Sequence, residues 1–307
     1  MGNSHSLYSP AFETFISNYE SIDEQPEIQL GNIMQKRVNK SERILLATKV
    51  FEISTDLEAS MKLAQTLHDF NHPNLSNILA HSEKNEFQCL SQTFRHVIAV
   101  EYPSNCLKDL TRTKTESVKE PHCWYILKTL ADVCNYMTKS NLPIGEISPS
   151  NVMIDDNGEI KLLNLDLLTD YRTCLERAFN IPGYKTTFAP EQLERLNHLN
   201  REIDGLDIGK AEVFGIGMTV LCVASDEYID AYYEWSNYVV NFDRIVKRIN
   251  QLKDRGFTEV FIKLLANLLD PQPDNRVSLT ELVYKIDEQT NPLRKRGLST
   301  ILGIKKR

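Results

Sequence analysis

The feature that most constrains this chain is a change of hydrophobic period about a third of the way along it. Up to Tyr102 the apolar residues come in short, dense runs, whereas from Trp124 onward they recur at helical spacing. The runs IQLGNIM (28–34) and RILLATKVFEI (43–53), separated by the polar turn NKSE, predict strands joined by a hairpin. Thr55-Asp56-Leu57-Glu58 is a capping-box pattern, and Leu57, Met61, Ala64 and Leu67 continue a helix that His72-Pro73-Asn74 ends. FQCLSQTF (87–94) and HVIAVEY (96–102) return to strand-like runs. Beyond them Leu127, Leu130, Ala131, Cys134 and Met137 line one helical face that leads into a loop at Asn141. Further helices are expected near Val213 and Thr258, and a last one at a second capping box, Ser278-Leu279-Thr280-Glu281. A strand-rich first third with one helix, then a helix-rich remainder, makes the chain α+β and two-lobed.

Composition excludes several function classes. A net charge of -7 lacks the basic face that nucleic acid requires. The six cysteines, Cys89, Cys106, Cys123, Cys134, Cys174 and Cys222, form no Cys-x-x-Cys pair and the histidines do not cluster. Neither a zinc site nor a disulfide framework is expected, and a reducing, intracellular compartment is. The richest apolar stretch, Val213 to Val223, is shorter than the roughly 18 residues of a membrane span and reads as a buried helix. The N-terminus lacks the charged-then-apolar pattern of a secretory signal.

Landmarks then appear in an order and spacing that resemble the protein kinase superfamily. They are Ala47-Thr48-Lys49, HPN at 72–74, IGEISPSN at 144–151, NLD at 164–166 and Ala189-Pro190-Glu191. EVFGIGM (212–218) resembles the family's buried helix under the catalytic loop, and LLDPQPDNR (268–276) its closing segment with an arginine. The resemblance covers about residues 25 to 288 and implies a kinase-like domain with a small β-rich N-lobe (about 25–102) and a larger helical C-lobe (about 103–288). Residues 1–24 then read as an N-terminal arm and 289–307 as a basic tail.

Kinases hold ATP phosphates with a lysine and metal ions, and orient the acceptor hydroxyl with a carboxylate. By the resemblance Lys49 is the strand lysine, but its usual glutamate partner is replaced by Leu63, and Glu58 belongs to the helix cap. Gly31 is the only glycine between Leu30 and Val38, so the backbone cradle for phosphate is largely lost. Glu146 stands at the catalytic aspartate, where an added methylene shifts the carboxylate by about 1 Å, enough to cost ~10²-fold. Ser148 replaces a lysine that would stabilise the transferring phosphoryl group. Asn151 is retained, whereas Asn164 replaces the metal-bridging aspartate with a neutral amide, a poor ligand for Mg²⁺. Asp166, where the family has glycine, reads as a solvated loop residue. Glu191 and Arg276 fill the positions of the family's structural ion pair, and Glu212 that of an aspartate capping the catalytic loop. For the hinge two placements stand: Glu101-Tyr102 with Val100 guarding the pocket, or Gln92-Thr93 with HVIAVEY as an insertion.

At the ends, Met1-Gly2-Asn3-Ser4-His5-Ser6 fits the N-myristoylation pattern on Gly2. The tail carries Arg294, Lys295, Arg296, Lys305, Lys306 and Arg307 around Leu298, Ile301, Leu302 and Ile304. The resulting expectation is a pseudokinase that regulates or scaffolds protein partners, an active kinase among them, at an anionic cytoplasmic membrane face. No cofactor is required and no metal site is expected; ATP and Mg²⁺ would bind weakly. The competing readings are an active protein Ser/Thr kinase using Glu146, and a switch that binds ATP through Lys49 and Asn151 without turnover.

Overall fold

A computed structural model describes residues 10–22, 27–29, 32–39, 45–53, 72–88, 91–103, 105–110, 118–140, 147–163, 185–197 and 205–289. The chain forms two compact units, one through Pro103 and one from Ser104 onward.

The first unit is built on a six-stranded antiparallel sheet. After helix α1 (Pro10–Ser17) come β1 (Tyr19–Ser21), β2 (Glu27–Gln29), β3 (Asn32–Asn39), β4 (Leu45–Ile53), β5 (Ile78–Gln88) and β6 (Ser91–Glu101). The sheet order is β1-β3-β4-β6-β5, with β2 also pairing β3. The run at 28–34 therefore contributes to two strands, with Ile28 paired to Ile33, rather than one. The expected arm is also partly folded. Phe12, Phe15 and Ile16, spaced i, i+3, i+4 on α1, pack with Tyr19, Ala80 and the buried Ala99. Tyr19 to Ser21 then pair with Asn39 to Arg37 as an extra edge of the sheet. The helix expected from Thr55 lies outside the described residues.

In the second unit β7 (Asn105–Cys106), α2 (Leu107–Leu110) and α3 (Glu120–Lys139) precede β8 (Val152–Ile154) and β9 (Ile160–Leu162). The helices α4 (Pro190–Asn197) and α5 (Ile208–Ser225), a short hairpin of β10 (Tyr233–Glu234) and β11 (Val239–Val240), then α6 (Phe242–Gln251), α7 (Glu259–Leu268) and α8 (Leu279–Asp287) follow. Helix α3 opens four residues before Trp124, with a proline in its first turn. Helix α5 opens five residues before Val213, where the Asp207 carboxylate accepts from Lys210 N. The Thr258 cap and the Ser278–Glu281 capping box form as the sequence predicts. Every residue of α5 from Ala211 to Ala224 is buried, so this helix has no solvent face and is the axis of the unit. It packs against α3, α7 and α8. It is also long and apolar enough to cross a membrane, but most of it is enclosed by protein.

Candidate functional site

Strand β4 carries Lys49 at the centre of the first sheet, between Met34 on β3 and Ile98 on β6. Strand β6 is continuous from Ser91 to Glu101, with Gln92 and Thr93 paired to Phe87 and Glu86. HVIAVEY is therefore the second half of a regular strand and not an insertion. Gln92 and Thr93 thus lie within the β5–β6 pairing, and the strand runs on to Glu101, shortly before the first unit ends at Pro103. Glu101 is half-buried; its amide donates to the Asn77 carbonyl and its carboxylate accepts from Asn77 Nδ2 at 3.1 Å.

In the second unit the segment 147–152 is a turn locked by its own backbone. Asn151 N and Val152 N both donate to the Ser148 carbonyl, at 3.0 and 3.2 Å, and Lys108 N to the Pro149 carbonyl. The Asn151 carbonyl accepts from Leu163 N at 2.8 Å, which ties the turn to the end of β9. Two hydroxyls from distant parts of the chain converge on the carbonyl of Ile147: Thr219 Oγ1 from α5 at 3.0 Å, and Thr187 Oγ1 from the segment before α4. A Cβ at Gly215 would make ordinary van der Waals contacts here, 3.4 Å from Thr187 Oγ1 and 3.6 Å from Ile147 Cβ. Neither hydroxyl was read from the sequence; both act over chain separations with no local signal.

Ser148 is 3% exposed, and its Oγ has no hydrogen-bond partner among the described residues. A short hydroxyl in a closed position supplies no cation to the turn. Asn151 is half-buried beside it. Glu146, Asn164, Asp166, Leu63, Gly31 and Gly2 lie outside the described residues, as does the basic tail. Among the described residues no three acidic, histidine or cysteine side chains group as a metal site.

The structure brings Glu191 and Arg276 together. Glu191, in the first turn of α4, faces an arginine whose side chain is 0% exposed. Arg276 Nη1 donates to Glu191 Oε1 at 2.6 Å and Nη2 to Oε2 at 2.9 Å, a fork-to-fork pair. Its other three N–H groups donate to the carbonyls of Lys210 (3.0 Å), Pro271 (3.2 Å) and Asp270 (2.8 Å). All five guanidinium donors are thereby satisfied, and the ring of Phe214 lies 4.9 Å away. Lys210 returns the link by donating its Nζ to the Arg276 carbonyl. Glu212, buried on α5, meets Thr138 Oγ1 of α3 at 3.5 Å.

Alongside α4, Tyr233 donates to the Phe188 carbonyl at 2.8 Å and stacks on Trp235. Burial pushes the Tyr233 phenol well above its ordinary pKa, so it stays a neutral donor. Lys185 pairs with Asp230, and Gln192 Oε1 accepts from Ala189 N at 2.7 Å at the start of α4. Together these contacts immobilise the segment from Lys185 to Glu191.

A family model described as the protein kinase domain matches residues 30–285. CBL-interacting serine/threonine-protein kinase 21 of Arabidopsis thaliana is 23% identical over 248 residues, 79% of this chain and 53% of that protein. The R436 protein of Acanthamoeba polyphaga mimivirus is 24% identical over 278 residues, 84% of this chain and 92% of that one. The chain thus spans about half the length of the plant relative and nearly all of the viral one. Among solved structures, the crystal structure of Rad53 1-466 in complex with AMP-PNP superposes with a TM-score of 0.59 at 16% identity. That match covers 88% of this chain and 65% of the other, and is a likeness of fold.

Proposed function

Because the chain belongs to the protein kinase domain family, we propose that it is a catalytically impaired member: a pseudokinase that regulates or scaffolds protein partners at the cytoplasmic face of a membrane. The observation that carries this reading is Ser148. Where the family has a lysine, this chain has an enclosed hydroxyl with no partner among the described residues, while the turn around it is held by its own backbone and by the Thr219 hydroxyl. The scaffold around the turn is kept, while the cation at Ser148 and the carboxylate at Asn164 are lost. The residue set also fits Mg²⁺ poorly, since Asn164 offers a neutral amide where the family has the metal-bridging carboxylate, and the retained Asn151 supplies no charge to replace it. Such losses act as a unit, so Glu146 alone would not restore turnover.

The deciding measurement is phosphate transfer from ATP–Mg²⁺ to generic protein substrates and to the chain itself, with thermal shift by ATP measured in parallel. The expected result is no transfer and little shift. Robust transfer that Glu146→Ala abolishes would instead establish an active Ser/Thr kinase. A clear shift without transfer would indicate a nucleotide-binding switch.

The membrane half rests on the two ends of the chain. One myristoyl chain binds only reversibly, while a chain plus a basic cluster anchors stably, each cation near an anionic leaflet being worth about 1 kcal/mol. Gly2→Ala should release most of the protein from the membrane fraction. A wholly soluble wild type with unmodified Gly2 by mass spectrometry would sink this half and leave the other standing.

A further inference from the structure

A groove of about 420 Å³ opens on the second unit between α7 and α8. Trp124, Val277 and, on α7, Val260 and Leu264 give it an apolar wall, and five polar residues, Lys285 of α8 and Gln289 just beyond that helix among them, complete the lining. Its wall is preformed. The Trp124 indole donates to Glu120 Oε1 at 2.9 Å and packs edge-on against Phe261, with ring centroids 5.2 Å apart. Glu120 in turn accepts from Thr258 Oγ1 at 2.7 Å, which fixes the start of α7 to the start of α3. Val260, by contrast, is 52% exposed, a β-branched side chain left largely open to solvent.

We propose that this groove seats the chain's own C-terminal segment, residues 290–307. The described chain ends at Gln289, itself one of the lining residues, so the following segment leaves from the rim of the groove. Leu298, Ile301 and Leu302 stand at i, i+3 and i+4, a compact aliphatic stripe that matches the apolar wall of Trp124, Val260, Leu264 and Val277. Asn291-Pro292 and Gly297 stand between Gln289 and that stripe, residues suited to reversing the chain. Leu298 is nine positions from Gln289, a span of up to ~30 Å, enough to reach any part of the groove. A tether this short gives an effective concentration on the order of millimolar, so even a weak apolar seat fills in cis before a second copy or a free peptide competes. The aliphatic residues of the tail therefore have a destination on the protein that is separate from the anionic surface proposed for its cations.

Amide hydrogen exchange on the full chain without lipid tests this, read by mass spectrometry over 291–307 and 259–268. Wild type is compared with Val260→Asp, an exposed position, and with the triple variant Leu298→Asp/Ile301→Asp/Leu302→Asp, which leaves the groove intact. Both segments should exchange at least about tenfold more slowly in wild type than in the triple variant, with Val260→Asp matching that variant over the tail. A synthetic peptide of residues 290–307, added to the triple variant, should restore protection at 259–268. If Val260→Asp fails to fold, the triple variant and the peptide decide alone. Equal exchange of the tail in wild type and triple variant overturns the proposal. So does protection that grows with protein concentration alongside dimers in sedimentation, which would give the groove to a second copy. Because no membrane or nucleotide is present, neither result bears on phosphate transfer or on lipid attachment.

Discussion

Replacing Glu191 with alanine should leave a buried guanidinium without its counter-charge, and the geometry sets the scale. Two of the five Arg276 donors lose their acceptor, while the carbonyls of Lys210, Asp270 and Pro271 hold the other three in place. Arg276 cannot swing out to solvent without abandoning those three bonds, so the cation stays buried and unpaired. Breaking such a pair from one side costs about 3–5 kcal/mol. Glu191 itself is 15% exposed, so water can enter the vacated space, which places the expected loss near the lower end of about 3 kcal/mol. In a unit of this size that corresponds to a fall in Tm of roughly 6–12 °C. Urea unfolding of the full chain, followed by circular dichroism with the transition of the second unit fitted separately, measures it. The double variant Glu191→Leu/Arg276→Met removes both charges and should be more stable than the sum of the single losses predicts, by at least about 1 kcal/mol. A loss below about 1 kcal/mol for Glu191→Ala, or strict additivity in the double variant, would refute the view that the pair is interdependent.

Two other substitutions probe the same unit. A Cβ at Gly217 would sit 2.9 Å from Leu268 Cβ and 3.1 Å from two Leu269 atoms, so Gly217→Ala should force α5 and α7 apart. The expected net loss is about 1–2 kcal/mol despite a helix-propensity gain of up to ~1 kcal/mol, and an unchanged urea midpoint would contradict it. At Glu227, burial opposes the charged form, but hydrogen bonds from Arg248 and Arg244 outweigh it and hold the carboxyl below its ordinary range. A depressed folded-state pKa contributes stability above the unfolded value of about 4.3, and loses it as pH falls through the folded value. The stability gap between wild type and Glu227→Gln should therefore be widest at neutral pH and close on acidification below about pH 4; a gap constant with pH would count against it.

What could be read in advance was whatever is encoded locally. Ser278 and Glu281 form the capping box their spacing announces, and Thr258 caps α7 with its own hydroxyl. The apolar density of 213–223 marked a buried helix, although its polar-looking first turn, Ile208 to Lys210, hid the true start. Helix α6 carries a local signal in Asn241 followed by buried Ile245 and Ile249, but the aromatic run before it obscures the helical period. Strands β7, β8 and β9 are two or three residues long, too short for any period to show. At the site, the resemblance paired Arg276 with Glu191, but not with three carbonyls. The carbonyls lie on other segments, and backbone acceptors leave no mark in a residue sequence. The hydroxyls of Thr187 and Thr219 on the Ile147 carbonyl were hidden for the same reason, separated from it by 40 and 72 positions.

The all-round burial of α5 bears on how the chain is made. On the ribosome, α3 is already available when Ala211 to Ala224 emerge, but α7 and α8, which also enclose them, are not. Sixty-two residues separate the end of α5 at Ser225 from the end of α8 at Asp287. At roughly 5–20 residues per second that interval lasts about 3–12 s. Throughout it the nascent chain displays an 18-residue helix-forming segment with the hydropathy of a bilayer-spanning one. Any delay in translation over residues 226–287 prolongs that display, so synonymous codon changes there should alter the yield of folded protein more than equal changes upstream of α3.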